Sequence, residues 1–150
     1  MTERLFVKLA MAAIVLSSSP TLAQELPSAK KAESVEIIKG PELEMAIDGL
    51  TIVRWTSTNS GGDDEHYGVV HYGTDPNDLS QTAKSHIRLN RHHPETIFRV
   101  RVPGLRPETT YYYWVSSVGA NGTDDGVKSA VNHFTTPSPG QRVINSPEPR

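Results

Sequence analysis

The 150-residue chain contains no cysteine. A domain without disulfides has nothing to constrain its unfolded state covalently, so one apolar core has to hold it together. Lipid attachment at a cysteine is excluded for the same reason. Basic charge is not in surplus either: 15 Lys and Arg stand against 17 Asp and Glu. A nucleic-acid binder shows a basic excess or stripe, so nucleic acid is not expected as a partner. No apolar run approaches the ~20 residues that span a bilayer. The longest, Leu9 to Leu16, is far shorter, and stable membrane insertion is not expected. Beyond that run the sequence shows no helical periodicity.

What is present begins with a leader. Arg4 and Lys8 precede the apolar run, and SSSPTLA follows it, which reads as a secretory signal cut after Ala23. The expected destination is secreted or periplasmic. Removing residues 1–23 takes away Glu3, Arg4 and Lys8 and leaves a mildly acidic chain. Residues 24–32 read as a flexible lead-in, and residues 138–150, rich in Pro, Ser and Gly, as a disordered tail. The remaining length is enough for one core without staples.

The most informative stretch is GLRPETTYYYWVSSV, Gly104 to Val118. Pro107 makes a corner, after which Tyr111, Tyr113 and Val115 share one face of a strand. Tyr111 is placed to lean across the corner and return its hydroxyl to upstream backbone. Upstream, the Asp48-Gly49 turn separates two apolar runs. Val53 and Trp55 point inward in the second, as do Val70 and Tyr72 of the next strand and Phe98, Val100 and Val102 of a later one. Leu50 and Ile52 fall on the opposite face, where either a bulge or the preceding strand must accommodate them. About seven alternating strands with turns at short intervals predict an all-β, seven-stranded immunoglobulin-like sandwich.

The chain resembles the fibronectin type III fold, and more closely the β-sandwich that precedes the catalytic domain of purple acid phosphatases. The residues that carry this are GLRPETTYYYWV, VHYGTDPNDLSQTA (Val70 to Ala83), TIVRWTS (Thr51 to Ser57) and HFTTP (His133 to Pro137). The resemblance covers roughly residues 33–137 and implies a fibronectin type III-like domain there. The family's two-metal hydrolysis resides in motifs of a separate domain, GD-x-G and GNHE, and neither string occurs here. No catalytic residue carries over, and no Gly-x-Ser-x-Gly elbow offers a nucleophile.

Two regions are candidate sites. Three polar loops are expected at one pole: Ser57 to His66 with Asp63, Asp64 and Glu65; Asn90 to Pro94 with Arg91, His92 and His93; and Ala120 to Lys128 with Asp124 and Asp125. Carboxylates and imidazoles converging there are candidates for a polar ligand. Their spacing matches no calcium loop or helical zinc pair, so neither a metal nor another cofactor is assigned. The second candidate is a sheet face on which Tyr112 and Trp114 point outward beside Val69 and His71. Exposed rings of this kind mark contact surfaces, unless the tail or long side chains cover them.

The sequence therefore predicts an exported non-catalytic binding or scaffolding module with a protein or glycan partner. The alternatives are an accessory domain serving a separately encoded purple-acid-phosphatase-like enzyme, and a metal-dependent polar-ligand binder at the loop pole.

Overall fold

Strand alternation sets which side chains meet, and it is visible in the computed structural model, which describes residues 29–145. The elements are β1 (Ile37–Ile47), β2 (Leu50–Thr58), β3 (Glu65–Gly73), β4 (Gln81–Arg88), β5 (Glu95–Val102), β6 (Thr110–Gly119), β7 (Asp124–Lys128), β8 (Asn132–Thr135) and β9 (Val143–Ile144). They form two antiparallel sheets, one in the order β5-β2-β1-β9 and a larger one in the order β4-β3-β6-β7, with β8 also paired to β6. The two sheets make a β-sandwich of the immunoglobulin-like kind. No described helix is long and apolar enough to cross a membrane.

The inward set is the one that alternation selects. Val53, Trp55, Val70, Tyr72, Phe98, Val100, Val102, Tyr111, Tyr113 and Val115 form one buried cluster with Ala83 and Phe134. Trp55 stacks on its cross-strand partner Phe98, with ring centroids 5.0 Å apart. Gly68 lies beneath them: a Cβ there would come within 2.8 Å of Val100, 2.9 Å of Trp55 and 3.0 Å of Phe98. The absence of a side chain on β3 is what lets the indole cross the interior. Burial and the nearby Glu42 carboxylate push the Tyr113 phenol up to about 12, and its hydroxyl donates to Pro41 O.

Four features differ from the sequence expectation. There are nine strands among the described residues rather than seven. Gly40-Pro41 does not end the first strand. β1 runs through it with three register irregularities against β2, and those irregularities absorb the turn residues. Leu50 and Ile52 lie on the outer face as expected, half-buried opposite Ile47 and Met45 of that irregular strand. The third polar loop is shorter than composition suggests, because Asp124 to Lys128 pair with β6 as β7.

The fourth difference is at the ends. Residues 138–145 of the expected tail run back along the smaller sheet, where Val143 and Ile144 pair with Ala46 and Met45. Asn145 donates to Glu44 O and Leu43 O, at 2.9 Å and 2.7 Å, and Gly140 N–H reaches the Asp48 carboxylate. A β-branched pair finds the unpaired backbone of the β1 edge. Of the lead-in, Ala29 and Ala32 bond to Gly62 and Ser60. The expected leader 1–23, residues 24–28 and residues 146–150 lie outside the described residues.

Candidate functional site

The three loops do meet at one pole. Asn59 Nδ2 donates to both Asn90 O and His93 O at 2.9 Å, tying the first loop to the second. The candidate residues there separate into unlike groups. Asp64 accepts from Arg91 Nε and faces Arg88, and the Arg91 hydrogen bond holds its carboxyl below the usual range. Glu65 faces His86 at 3.8 Å. His93 Nδ1 accepts the Glu95 N–H of its own turn, while His92 is exposed. Asp124 caps Gly126 N–H at 2.5 Å. Asp63 is exposed at the rim of a cleft of about 280 Å³ that Lys31, Asn121 and Thr123 also line.

Asp125, which lines the same cleft together with His66, is buried. Its Oδ1 lies 3.3 Å from His66 Nε2, and its Oδ2 accepts from Ser117 Oγ at 3.0 Å. Ser60 Oγ approaches the same His66 nitrogen at 3.1 Å. All four side chains are buried. Ser, His and Asp thus assemble, but not as a nucleophilic triad. That chemistry holds the carboxylate on one ring nitrogen and the serine on the other. Here both sit on Nε2, and Nδ1 is buried without a hydrogen-bond partner. The network joins the β2–β3 loop to β3, β6 and β7, which is a structural task. Sequence reasoning missed His66, Ser60 and Ser117. The signal available was phase, since His66 shares the inward parity of Gly68, Val70 and Tyr72. Among the described residues no group of three or more His, Asp or Glu side chains is placed to hold a metal.

The second candidate, the outer face of the larger sheet, is ordered in cross-strand rows. One row reads Lys84–Val69–Ser116–Lys128 across β4, β3, β6 and β7, and the next Thr82–His71–Trp114. His71 and Trp114 are direct partners, and their rings stack 3.6 Å apart and 5° from parallel. His71 Nε2 lies 3.3 Å from Ser116 Oγ, and Lys128 Nζ sits 4.4 Å from the centre of the indole ring. Burial, then the Lys128 and Lys84 ammonium groups, push the His71 imidazole below its usual value, while Asp124 opposes them. Tyr112 lies one row further on, 6.0 Å from its partner His133.

This face is less bare than alternation alone suggests. Val69 is buried, at 3% exposure, between the longer side chains of its row. Tyr112, Trp114 and His71 are half-buried, because neighbouring strands on both sides lay His71 and Lys128 against the indole. The rings form a packed ladder whose edges reach solvent, and Lys84, Lys128 and His133 stand exposed around it.

Comparison with known proteins places this architecture. The family described as purple acid phosphatase, N-terminal domain, matches residues 49–136. Among solved structures, the sensor domain of the anti-sigma factor RsgI4 in Pseudobacteroides cellulosolvens is similar at 15% identity, with a TM-score of 0.43, over 75% of this chain and 97% of that one. No curated protein matches the chain. The match from Gly49 to Thr136 takes in β2 to β8 and the tyrosine corner, and by it the chain belongs to the purple acid phosphatase N-terminal domain family.

Proposed function

We propose that the chain is an exported, non-catalytic β-sandwich module that binds a partner through the outer face of its larger sheet. The observation that carries this is the His71–Trp114 stack, half-exposed at the centre of a four-strand face and flanked by Lys84 and Lys128. Aromatic rings with a polar, charged surround are the composition of contact surfaces. The non-catalytic part is supported by the shared nitrogen in the Ser60–His66–Asp125 network, which leaves no base poised behind a nucleophile. Export rests on the leader that ends at Ala23.

Two assays on purified protein test it. Incubation with a phosphomonoester and added zinc, manganese or iron gives no turnover, and metal-dependent turnover would overturn the non-catalytic reading. Capture from the native exported fraction is lost in Trp114→Ala while its thermal midpoint stays within a few degrees. Undiminished capture by that variant would remove the face from consideration.

A further inference from the structure

We propose that the cleft at the loop pole is a second ligand site, one that takes a primary ammonium group carried on a small organic amine. The site is separate from the outer sheet face and does not rest on that assignment. Three segments wall it. The β6–β7 turn supplies Gly119, Asn121 and Thr123, the β2–β3 loop supplies Asp63, and Lys31 comes from the lead-in. Backbone bonds of 2.8 Å, from Gly62 N–H to Ala29 O and from Ala32 N–H to Ser60 O, hold the lead-in in place. His66 and Asp125 also line the cleft, and both are buried.

Two observations there point to a ligand. The Asp125 carboxylate can only accept, so in the neutral ring the His66 proton lies on Nε2, 3.3 Å from it, and Nδ1 keeps its lone pair. That nitrogen has no hydrogen-bond partner, in a residue only 2% exposed. The second observation is the bare Cα of Gly119. A Cβ there would stand 3.2 Å from Asn121 Oδ1, 3.8 Å from Thr123 O and 3.9 Å from His66 Nε2. Glycine thus leaves room for another molecule to approach two oxygens and the imidazole together.

The chemistry of the wall selects the class. The carboxylates of Asp63 and Asp125, Asn121 Oδ1, Thr123 O and the His66 lone pair are all acceptors, and an ammonium group is three donors with no acceptor. Among the described residues no Lys or Arg pairs with Asp63 or Asp125. Lys31 Nζ donates to Asp124 O instead, at 3.3 Å. The net charge of −2 for the whole chain also favours a cation at long range. A divalent metal fits less well, since it gathers its ligands to within about 2.0–2.6 Å of one point, and no three acidic or imidazole side chains among the described residues are so grouped. An ammonium group is held by hydrogen bonds of about 2.7–3.0 Å, which a more widely spaced set of acceptors satisfies.

The test follows the backbone amide resonances of Gly119, Asn121 and Thr123 in nitrogen-labelled protein during titration with butylammonium chloride at constant ionic strength. Saturable shifts at millimolar concentration are expected. Tetramethylammonium, which has the charge without the N–H donors, gives none, and neither does calcium or zinc. Asp63→Asn weakens binding at least threefold and Gly119→Ala at least tenfold, with thermal midpoints within a few degrees of the wild-type protein. Asp63 is exposed, so its variant decides the matter even where Gly119→Ala disturbs the turn. Absence of saturation, an equal response to tetramethylammonium or to either metal, or undiminished binding by Asp63→Asn overturns the proposal.

Discussion

The hydroxyl of Tyr111 accepts the backbone N–H of Arg106 at 3.1 Å, five residues upstream and across the corner that Pro107 makes. The ring meanwhile packs against Tyr72 and Phe134. One side chain therefore closes the β5–β6 connection and joins it to the core. Thr136 completes the corner from the other side: its Oγ1 accepts Thr109 N–H at 2.9 Å and lies 2.6 Å from Arg106 O.

Tyr111→Phe keeps the ring and removes the acceptor. The expected cost is about 0.5–1.5 kcal/mol, the net worth of one hydrogen bond. Urea unfolding checks it, with a lower midpoint at unchanged slope. An unchanged midpoint would mean that the corner is held by packing alone.

Gly68→Ala introduces a methyl group where Val100, Trp55 and Phe98 already meet. Overpacking of this kind costs about 1–3 kcal/mol, and the same urea experiment measures it. A neutral outcome would contradict the close crossing of the indole over β3.

Asp125→Ala leaves Ser117 Oγ without a partner inside the sandwich and takes one of two partners from His66 Nε2, which keeps Ser60 Oγ. A buried hydroxyl left without its partner costs about 1–3 kcal/mol. Asp63→Ala, at the exposed rim of the neighbouring cleft, changes stability by no more than about 0.5 kcal/mol. Equal effects at the two aspartates would contradict the division of the pole into a buried network and a solvated rim.

His71 gives the fold a pH dependence of defined sign. Its folded value is lowered, so the unfolded chain binds more protons between that value and the ordinary imidazole value near 6.5. The contribution is full above about 6.5 and is lost as pH falls through the folded value. Thermal midpoints measured stepwise downward from neutral pH therefore decline less steeply in His71→Gln than in the wild-type protein. Parallel curves would mean that the stacked ring titrates alike in both states.

How far the sequence reaches follows from which neighbours a residue depends on. Trp55, Phe98, Tyr111 and Tyr113 were legible because strand parity alone decides their side, and an aromatic run after a proline corner has few other uses. Asp125 was not, because a carboxylate on the inward parity of a polar stretch looks like loop until Ser117 and His66 are seen across from it. Val69 was placed on the correct face yet judged exposed, since its burial depends on Lys84 and on the longer side chains of adjoining strands. The return of Val143 and Ile144 to β1 depends on an open edge that exists only once the sheet has formed.

The outer-face account is tested most directly by the two indole N–H resonances of nitrogen-labelled protein, since the chain has only Trp55 and Trp114. Trp55 is sealed in the core and Trp114 lies on the outer sheet face. Titration with the exported fraction is expected to shift or broaden the Trp114 signal while leaving that of Trp55 in place. A bound complex in which the Trp114 resonance does not move would contradict the account.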